Sequence, residues 1–198
     1  MPIKEFIDFA ISVSASLVKT HKEEQIHGAI CPVNINWDQK NLKAELVDFS
    51  NRDEKLVSNK ACLPYISPEQ TGRMNLQVDY RTDLYSLGIV FFEILVGEPP
   101  FVADDTMEMI HLHIAGIPPE PHAKRVEVPE QISNIILRLL QKNPDDRYQS
   151  AYGLQHDLEL CAQQWKQNGS IKPFELSSSP ASSKWSWSSS SVLKLLNS

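Results

Sequence analysis

The feature that most constrains the fold is a central segment that is apolar on nearly every side. Residues 83–97 (DLYSLGIVFFEILVG) carry two charged side chains, and the sequence Gly-Glu-Pro-Pro begins at the last of these residues, Gly97. A helix that is hydrophobic all round lies in a protein core, and a glycine followed by prolines stops a helix. Polar residues interrupt the run too soon for a membrane span. The sequence therefore predicts a buried helix with the rest of the chain packed around it.

Amphipathic segments precede and follow this central helix. Apolar residues recur at three- and four-residue steps in residues 3–18, 132–140 and 154–165, which predicts three helices that each bury one face. Residues 143–146 (NPDD) predict a helix stop, and one of their acidic side chains is expected to cap the turn that follows.

Two short β-rich runs, residues 33–37 and 43–47, are separated by a polar stretch and predict a small hairpin. The expected fold class is therefore mainly α with a small β-hairpin, in one domain over residues 1–176. In residues 177–198, 11 of 22 side chains are serine, which leaves too little apolar surface to offset the entropy of ordering. We expect this segment to be a disordered tail.

Composition excludes several classes of function. The net charge of −6, without a cluster of Lys or Arg, argues against nucleic-acid binding. The first residues lack the basic stretch and apolar core of a signal peptide. Three cysteines at wide spacing fit neither a disulfide framework nor a zinc site and indicate a reducing compartment, so the predicted localisation is cytoplasmic.

Four segments then follow in an order that is typical of one family. They are residues 26–34 (IHGAICPVN), 46–50 (LVDFS), 65–69 (YISPE) and 79–88 (DYRTDLYSLG), and a late NPDDR ends at Arg147. Together they resemble the C-terminal lobe of a serine/threonine protein kinase, whose signature is H-R-D-L-x-x-x-N, D-F-G and A-P-E. The resemblance implies a kinase-like C-terminal lobe without the N-terminal lobe.

The chemistry of the signature is incomplete in this chain. The resemblance places His27 at its histidine, Gly28 at its arginine and Ala29 at the catalytic aspartate. Cys31 stands where these kinases usually carry a lysine near the transferring phosphate, and Cys62 stands at a substrate-facing threonine. Because a methyl group cannot accept a proton or orient a hydroxyl, no catalytic residue is predicted, and Ala29 marks the empty base position.

Other positions of the signature retain the family's residue types. Asn34 and Asp48 correspond to the pair that holds Mg²⁺ against ATP, so the resemblance implies weak or lost binding of ATP and Mg²⁺ through these two residues. Two alternatives stay open for them, metal ligation or ordinary hydrogen bonds within a loop. The resemblance also implies structural roles, with His27 in a hydrophobic stack, Glu69 paired with Arg147, and Asp83 accepting backbone hydrogen bonds from the catalytic loop.

The run YISPEQTGRMN (residues 65–75) is more specific than the general kinase pattern. It resembles the N-terminal kinase-like domain of large hybrid proteins that also carry an ATPase module and a two-component sensor histidine kinase. The implied function is a catalytically impaired pseudokinase fragment that acts as a signalling or interaction module. Its expected partners are proteins, either a missing N-terminal lobe or downstream signalling modules. The alternative is an active serine/threonine kinase once an N-terminal lobe completes it.

Two pairs of side chains suggest metal or redox chemistry, and for both the sequence favours an ordinary role. His111 and His113 are two residues apart on a predicted helix, face different sides and are expected to be surface residues. Cys31 and Cys62 are either redox-active or ordinary thiols, and ordinary thiols are the default expectation.

Overall fold

The computed structural model describes residues 1–47 and 61–177. In this part the chain is mainly helical with a two-stranded antiparallel sheet, which confirms the predicted fold class. In chain order the elements are α1 (Ile3–Lys22), β1 (Ile35–Asp38), β2 (Lys43–Leu46), α2 (Arg81–Val96), α3 (Thr106–Ala115), α4 (Pro121–Lys124), α5 (Glu130–Leu139) and α6 (Ala151–Asn168).

The apolar segment forms α2 at the centre of the protein. Its buried side chains point to every side of the helix, as the sequence predicts. Gly97 ends the helix with a left-handed φ of 95°, a conformation that glycine adopts without strain. Gly88 allows close packing of α2 against α5, since a Cβ at this position would lie 2.7 Å from the Cβ of Leu139.

Helix α1 packs against α6, β2 and α2. Its buried face includes Phe6 and Phe9, and the Phe6 ring meets that of Phe91 on α2 edge to face at a centroid distance of 5.4 Å. Helix α1 also makes polar contacts with the hairpin. The backbone amides of Ala44 and Leu46 on β2 donate to serine hydroxyls of α1 at 2.7 and 3.1 Å. These bonds satisfy one edge of the hairpin and fix it beside the helix.

The turn between the strands is closed by one aspartate. Ile35 pairs with Leu46 and Asp38 with Lys43 in the antiparallel register. The Asp38 carboxylate accepts from the backbone amides of Lys40 and Asn41, as aspartate commonly does in tight turns.

The capping residues in the loop before α6 differ from the predicted ones. Helix α5 ends at Leu139, before residues 143–146, and neither acidic side chain of these residues caps the next turn. Asn143 accepts from the backbone amide of Asp145, and the Ser150 hydroxyl accepts from Gly153 at the start of α6. The prediction was wrong because Asn and Ser are placed at the N-cap positions themselves, whereas the aspartates lie inside the short turn.

His113 is not a surface residue, which corrects a second prediction. Its ring is fully buried between α3 and α2, whereas the neighbouring His111 is exposed as predicted. No helix in the described parts of the chain is long and apolar enough to cross a membrane.

After α6 the chain continues without regular secondary structure and bonds to both α5 and α6. The Gln131 side chain forms two hydrogen bonds with the backbone of Phe174, at 3.0 and 3.3 Å. The amide and hydroxyl of Ser177 donate to the buried Asp157 carboxylate at 2.9 and 2.6 Å. Residues 171–177 are therefore part of the folded domain. The predicted tail beyond them lies outside the described residues.

Candidate functional site

A loop between α1 and β1, residues 27–34, is anchored from below by the first turn of α2. Asp83 is fully buried, and its carboxylate accepts from the backbone amides of His27 and Gly28 at 2.9 and 2.7 Å. The Nε2 atom of His21 lies 2.9 Å from the same carboxylate. Hydrogen bonds of this kind satisfy a buried carboxylate and fix the path of the loop.

The loop conformation explains the glycine at its second position. Gly28 has a φ of +71°, which side-chain-bearing residues rarely adopt. Its carbonyl accepts from Nε2 of Gln70 at 2.7 Å, so the segment after Ser67 also holds the loop. The larger family residue at this position is therefore replaced by one that suits the observed backbone.

Ala29 lies at the turn of this loop with only 4% of its surface exposed. Its carbonyl accepts from the Asn34 side chain at 2.8 Å, and its amide donates to Nδ1 of His27 at 3.3 Å. In the described residues, 1–47 and 61–177, the carboxylate that bonds to the loop backbone at residues 27–29 is that of Asp83. It accepts hydrogen bonds from the amides of His27 and Gly28. These contacts give Asp83 the role of holding the loop backbone.

His27 makes polar contacts with both ring nitrogens. Nε2 lies 2.9 Å from the carbonyl of Val47, at the end of the hairpin, and Nδ1 accepts from Ala29. These contacts join the loop to the end of the hairpin, and the hydrophobic stack that the resemblance implies for this ring stays a prediction.

Asn34 is nearly fully buried, and its amide is directed inward. Besides the Ala29 carbonyl, Nδ2 contacts the sulfur atoms of Cys31 at 3.3 Å and Cys62 at 3.7 Å. Asp48, its predicted partner in metal binding, lies outside the described residues. These hydrogen bonds use Nδ2, whereas a metal ion would be held by Oδ1, so both alternatives left open by the sequence remain predictions.

Glu69 and Arg147 form a buried bidentate ion pair. The two guanidinium nitrogens lie 2.7 and 2.8 Å from the two carboxylate oxygens, and both side chains are almost completely inaccessible. Burial acts to raise the pKa of Glu69, but the Arg147 guanidinium outweighs it and holds this pKa below its usual range.

The remaining donors of Arg147 are also used. They bond to the backbone carbonyls of Arg81, Gln141 and Lys142 at 2.7 to 3.1 Å, and the Thr82 hydroxyl donates to Glu69 at 3.0 Å. One arginine thus joins the segment after Ser67 to α2 and to the loop after α5.

Two groupings were not predicted from the sequence. Cys31 and Cys62 are joined through their sulfur atoms, with Cα atoms 5.5 Å apart. Tyr85, His113 and Lys142 form a second cluster, in which Tyr85 bonds to both other side chains at 3.1 and 3.3 Å. Burial lowers the pKa of His113 to about 4 and that of Lys142 to about 8. The sequence held one signal for the pairing of Cys31 with Cys62, because both align with positions of the kinase signature that lie near the substrate.

Comparisons with known proteins agree with this architecture. A family model for the protein kinase domain matches residues 1–158. The chain therefore belongs to the protein kinase domain family.

Individual relatives fall into two groups. Serine/threonine-protein kinase PknB of Mycolicibacterium smegmatis is 32% identical over 160 residues, which cover 77% of this chain and 25% of that protein. A probable serine/threonine-protein kinase of Streptomyces coelicolor is 30% identical over 164 residues, or 78% of this chain and 24% of that protein. Hybrid signal transduction histidine kinase G of Dictyostelium discoideum is 56% identical over 96 residues, or 48% of this chain and 3% of that protein. The chain thus spans a quarter or less of each of these relatives.

Proposed function

We propose that this chain is the C-terminal lobe of a protein kinase domain that has lost phosphoryl transfer and acts in signalling by binding other proteins. The observation that carries the proposal is Ala29, at the turn of a loop whose backbone is held by Asp83. A positioned acid or base contributes roughly 10²- to 10⁴-fold in rate, equal to about 3–5 kcal/mol of barrier, and a methyl group contributes none of it.

The assignment to a C-terminal lobe is supported by the internal anchors of the described residues. Asp83 fixes the loop of residues 27–34, and Arg147 fixes the segment around Glu69. Both anchors follow the order that the kinase resemblance implies. They maintain a scaffold independently of any residue that would perform chemistry.

Binding of ATP and Mg²⁺ is proposed to be weak at most. In active relatives the nucleotide supplies the phosphoryl group, and the loop asparagine and the D-F-G aspartate hold the metal. Here Nδ2 of Asn34 donates to the Ala29 carbonyl and contacts two sulfur atoms, and Oδ1 is the atom that would hold the metal. Asp48 keeps the residue type that a metal site requires, so the fit of these residues to the group is partial.

A role in binding is supported by exposed apolar side chains beside the loop. Val33 and Val47 are 69% and 41% exposed, and they flank the strand pair that follows residues 27–34. Exposed apolar side chains mark a protein interface where they form a contiguous patch. We propose an N-terminal lobe or another module of a hybrid signalling protein as the partner, and the cytoplasm as the location.

Phosphoryl transfer is the decisive test. The chain is joined to the N-terminal lobe of a bacterial serine/threonine kinase relative, and transfer from labelled ATP to a protein substrate is measured. We expect no transfer above background with Ala29 present. The double variant Ala29→Asp, Cys31→Lys serves as the gain-of-function control, since it restores both groups that the family uses. Robust transfer by the unaltered sequence would establish the active-kinase alternative instead.

Nucleotide binding is tested separately by thermal shift of the full chain with ATP and Mg²⁺. We expect a small rise of the melting temperature at millimolar nucleotide, absent in Asp48→Ala and retained in the surface variant Asp8→Ala. A large rise at micromolar nucleotide would contradict weak binding.

A further inference from the structure

The two cysteines at the centre of the site form a unit that the kinase activity of the family does not require. Cys31 lies in the anchored loop of residues 27–34, and Cys62 lies just before the turn of Leu63–Tyr65. Their Cα atoms are 5.5 Å apart, within the range that a disulfide spans without backbone movement. Both side chains are buried.

From this juxtaposition we propose that Cys31 and Cys62 form a reversible redox site. Its disulfide links the segment of residues 61–65 to the anchored loop of residues 27–34. The inference does not depend on the proposed loss of phosphoryl transfer, because it concerns the chain's own two sulfur atoms.

A third side chain supports a redox role over a chance contact. Nδ2 of Asn34 contacts both sulfur atoms, at 3.3 and 3.7 Å. An amide donor directed at sulfur favours the thiolate, which is the nucleophilic form in disulfide chemistry. Cys161 offers the contrast within the same chain, since it is equally buried in α6 but is a free thiol that is not joined to a second sulfur.

The chemistry balances with a hydroperoxide as oxidant. One thiolate attacks a peroxide oxygen of hydrogen peroxide, which breaks the O–O bond and forms a sulfenic acid; the released hydroxide takes up the thiol proton as water. The second thiolate attacks the sulfenic sulfur, forms the S–S bond and releases its hydroxyl group, which leaves with the second proton as water. Two sulfur atoms are oxidised, both oxygen atoms of the peroxide are reduced, and a dithiol reverses the reaction.

The bond has a mechanical consequence for the neighbouring segment. Tyr65, three residues after Cys62, donates from its hydroxyl to Glu93 on α2 at 2.6 Å. With the disulfide formed, the segment is held to α2 at one end and covalently to the loop at the other. With the thiols reduced, the covalent attachment is lost while the contact to α2 stays.

The test is differential alkylation of the full chain. The folded protein is treated with hydrogen peroxide, unfolded in the presence of N-ethylmaleimide so that buried free thiols are also blocked, and digested with trypsin. Cleavage after Lys40 and Lys60 places Cys31 and Cys62 in separate peptides. We expect these two peptides to be linked and Cys161 alone to be alkylated; treatment with dithiothreitol before blocking should yield three alkylated cysteines.

A second readout is the melting temperature. Closing a loop across the 31 residues between the two cysteines should raise it by roughly 5–10 °C relative to the reduced protein. Cys62→Ser should abolish this response, whereas Cys161→Ala should retain it. Three alkylated cysteines after peroxide treatment, a link that involves Cys161, or a link that dithiothreitol does not break would each overturn the proposal.

Discussion

At the scale of single residues, buried charges determine much of the stability of the site. Glu69 and Arg147 are shielded from water. Each carboxylate oxygen and each guanidinium nitrogen of the pair is hydrogen-bonded to a neighbouring group. A buried pair of this kind contributes little beyond a hydrophobic substitute, but the loss of one partner leaves the other charge uncompensated. The consequences of changing one member are therefore large.

We expect Glu69→Gln to lower the free energy of unfolding by about 3–5 kcal/mol, because Arg147 then remains charged and buried. Urea denaturation at neutral pH measures the effect. Asp8→Asn is the control, since Asp8 pairs with Lys4 at the surface and its loss should change stability by about 0.5 kcal/mol or less. Equal effects of the two substitutions would contradict a buried pair.

His113 gives the protein a pH dependence that the sequence did not predict. Burial, together with the nearby charge of Lys142, lowers its pKa from 6.5 to about 4. In the unfolded chain the ring takes up a proton near its ordinary pKa, and in the folded protein only near 4. The unfolded state thus binds more protons in between, so stability falls as the pH drops from about 6.5 to 4.

Replacing His113 by Gln should remove this part of the pH dependence, which is on the order of 3 kcal/mol over the whole interval. The measurement is the free energy of unfolding between pH 7 and pH 4.5 in the parent and the variant. His111→Gln provides the matched control because His111 is exposed on the same helix. A variant of His113 with the parent's pH slope would show that the ring is protonated in the folded protein.

At the scale of elements, the approach of α2 to α5 depends on a missing side chain. A Cβ on Gly88 would lie 2.7 Å from the Cβ of Leu139, which is closer than real carbon contacts allow. Neither helix can yield easily, because α2 is packed on all sides. Glycine is therefore required here by packing, at some loss of helix propensity.

Gly88→Ala should accordingly destabilise the protein by about 1–3 kcal/mol through overpacking. Gly153→Ala is the matched comparison: its Cβ would lie 3.5 Å or more from its neighbours, so it should raise stability by about 0.5–1 kcal/mol through better helix propensity. Chemical denaturation should therefore show a lower free energy of unfolding for Gly88→Ala and a higher one for Gly153→Ala. Stabilisation by both would mean that the two helices are further apart.

At the scale of the whole molecule, the domain extends beyond its last helix. Residues 171–177 bond to Gln131 on α5 and to Asp157 on α6, and apolar residues of this segment pack against the core. The segment thus closes the side of the domain where these two helices meet. The serine-rich sequence beyond it is predicted to add no comparable apolar contact.

A chain that ends at Gly169 should lose roughly 2–4 kcal/mol of stability, since it leaves apolar surface and the Asp157 carboxylate exposed. A chain that ends at Ser177 should unfold at the same denaturant concentration as the full chain. Both are measured by urea denaturation. A loss on removal of residues 178–198 alone would contradict the prediction of a disordered tail.

Local pattern determined most of the fold. The three- and four-residue steps in α1, α5 and α6, the continuous apolar run of α2 and the two β-rich runs of the hairpin each act within a few residues of the chain, so the sequence predicts them directly. The order of signature residues likewise indicated the kinase family before any geometry was known. The cap before α6 failed because Asn, Ser and Asp all suit that position, and their exact placement selects among them.

Tertiary structure alone decided which distant side chains meet. Sequence spacing gave Cys31 and Cys62 as widely separated thiols, and His113 as one of two surface histidines. The path of the loop over Asp83 brings the sulfur atoms together, and the packing of α3 on α2 buries the imidazole beside Tyr85. Periodicity reports which face of an element is buried, but contacts between residues far apart in the chain arise only when the elements pack, and these contacts set the chemistry of the site.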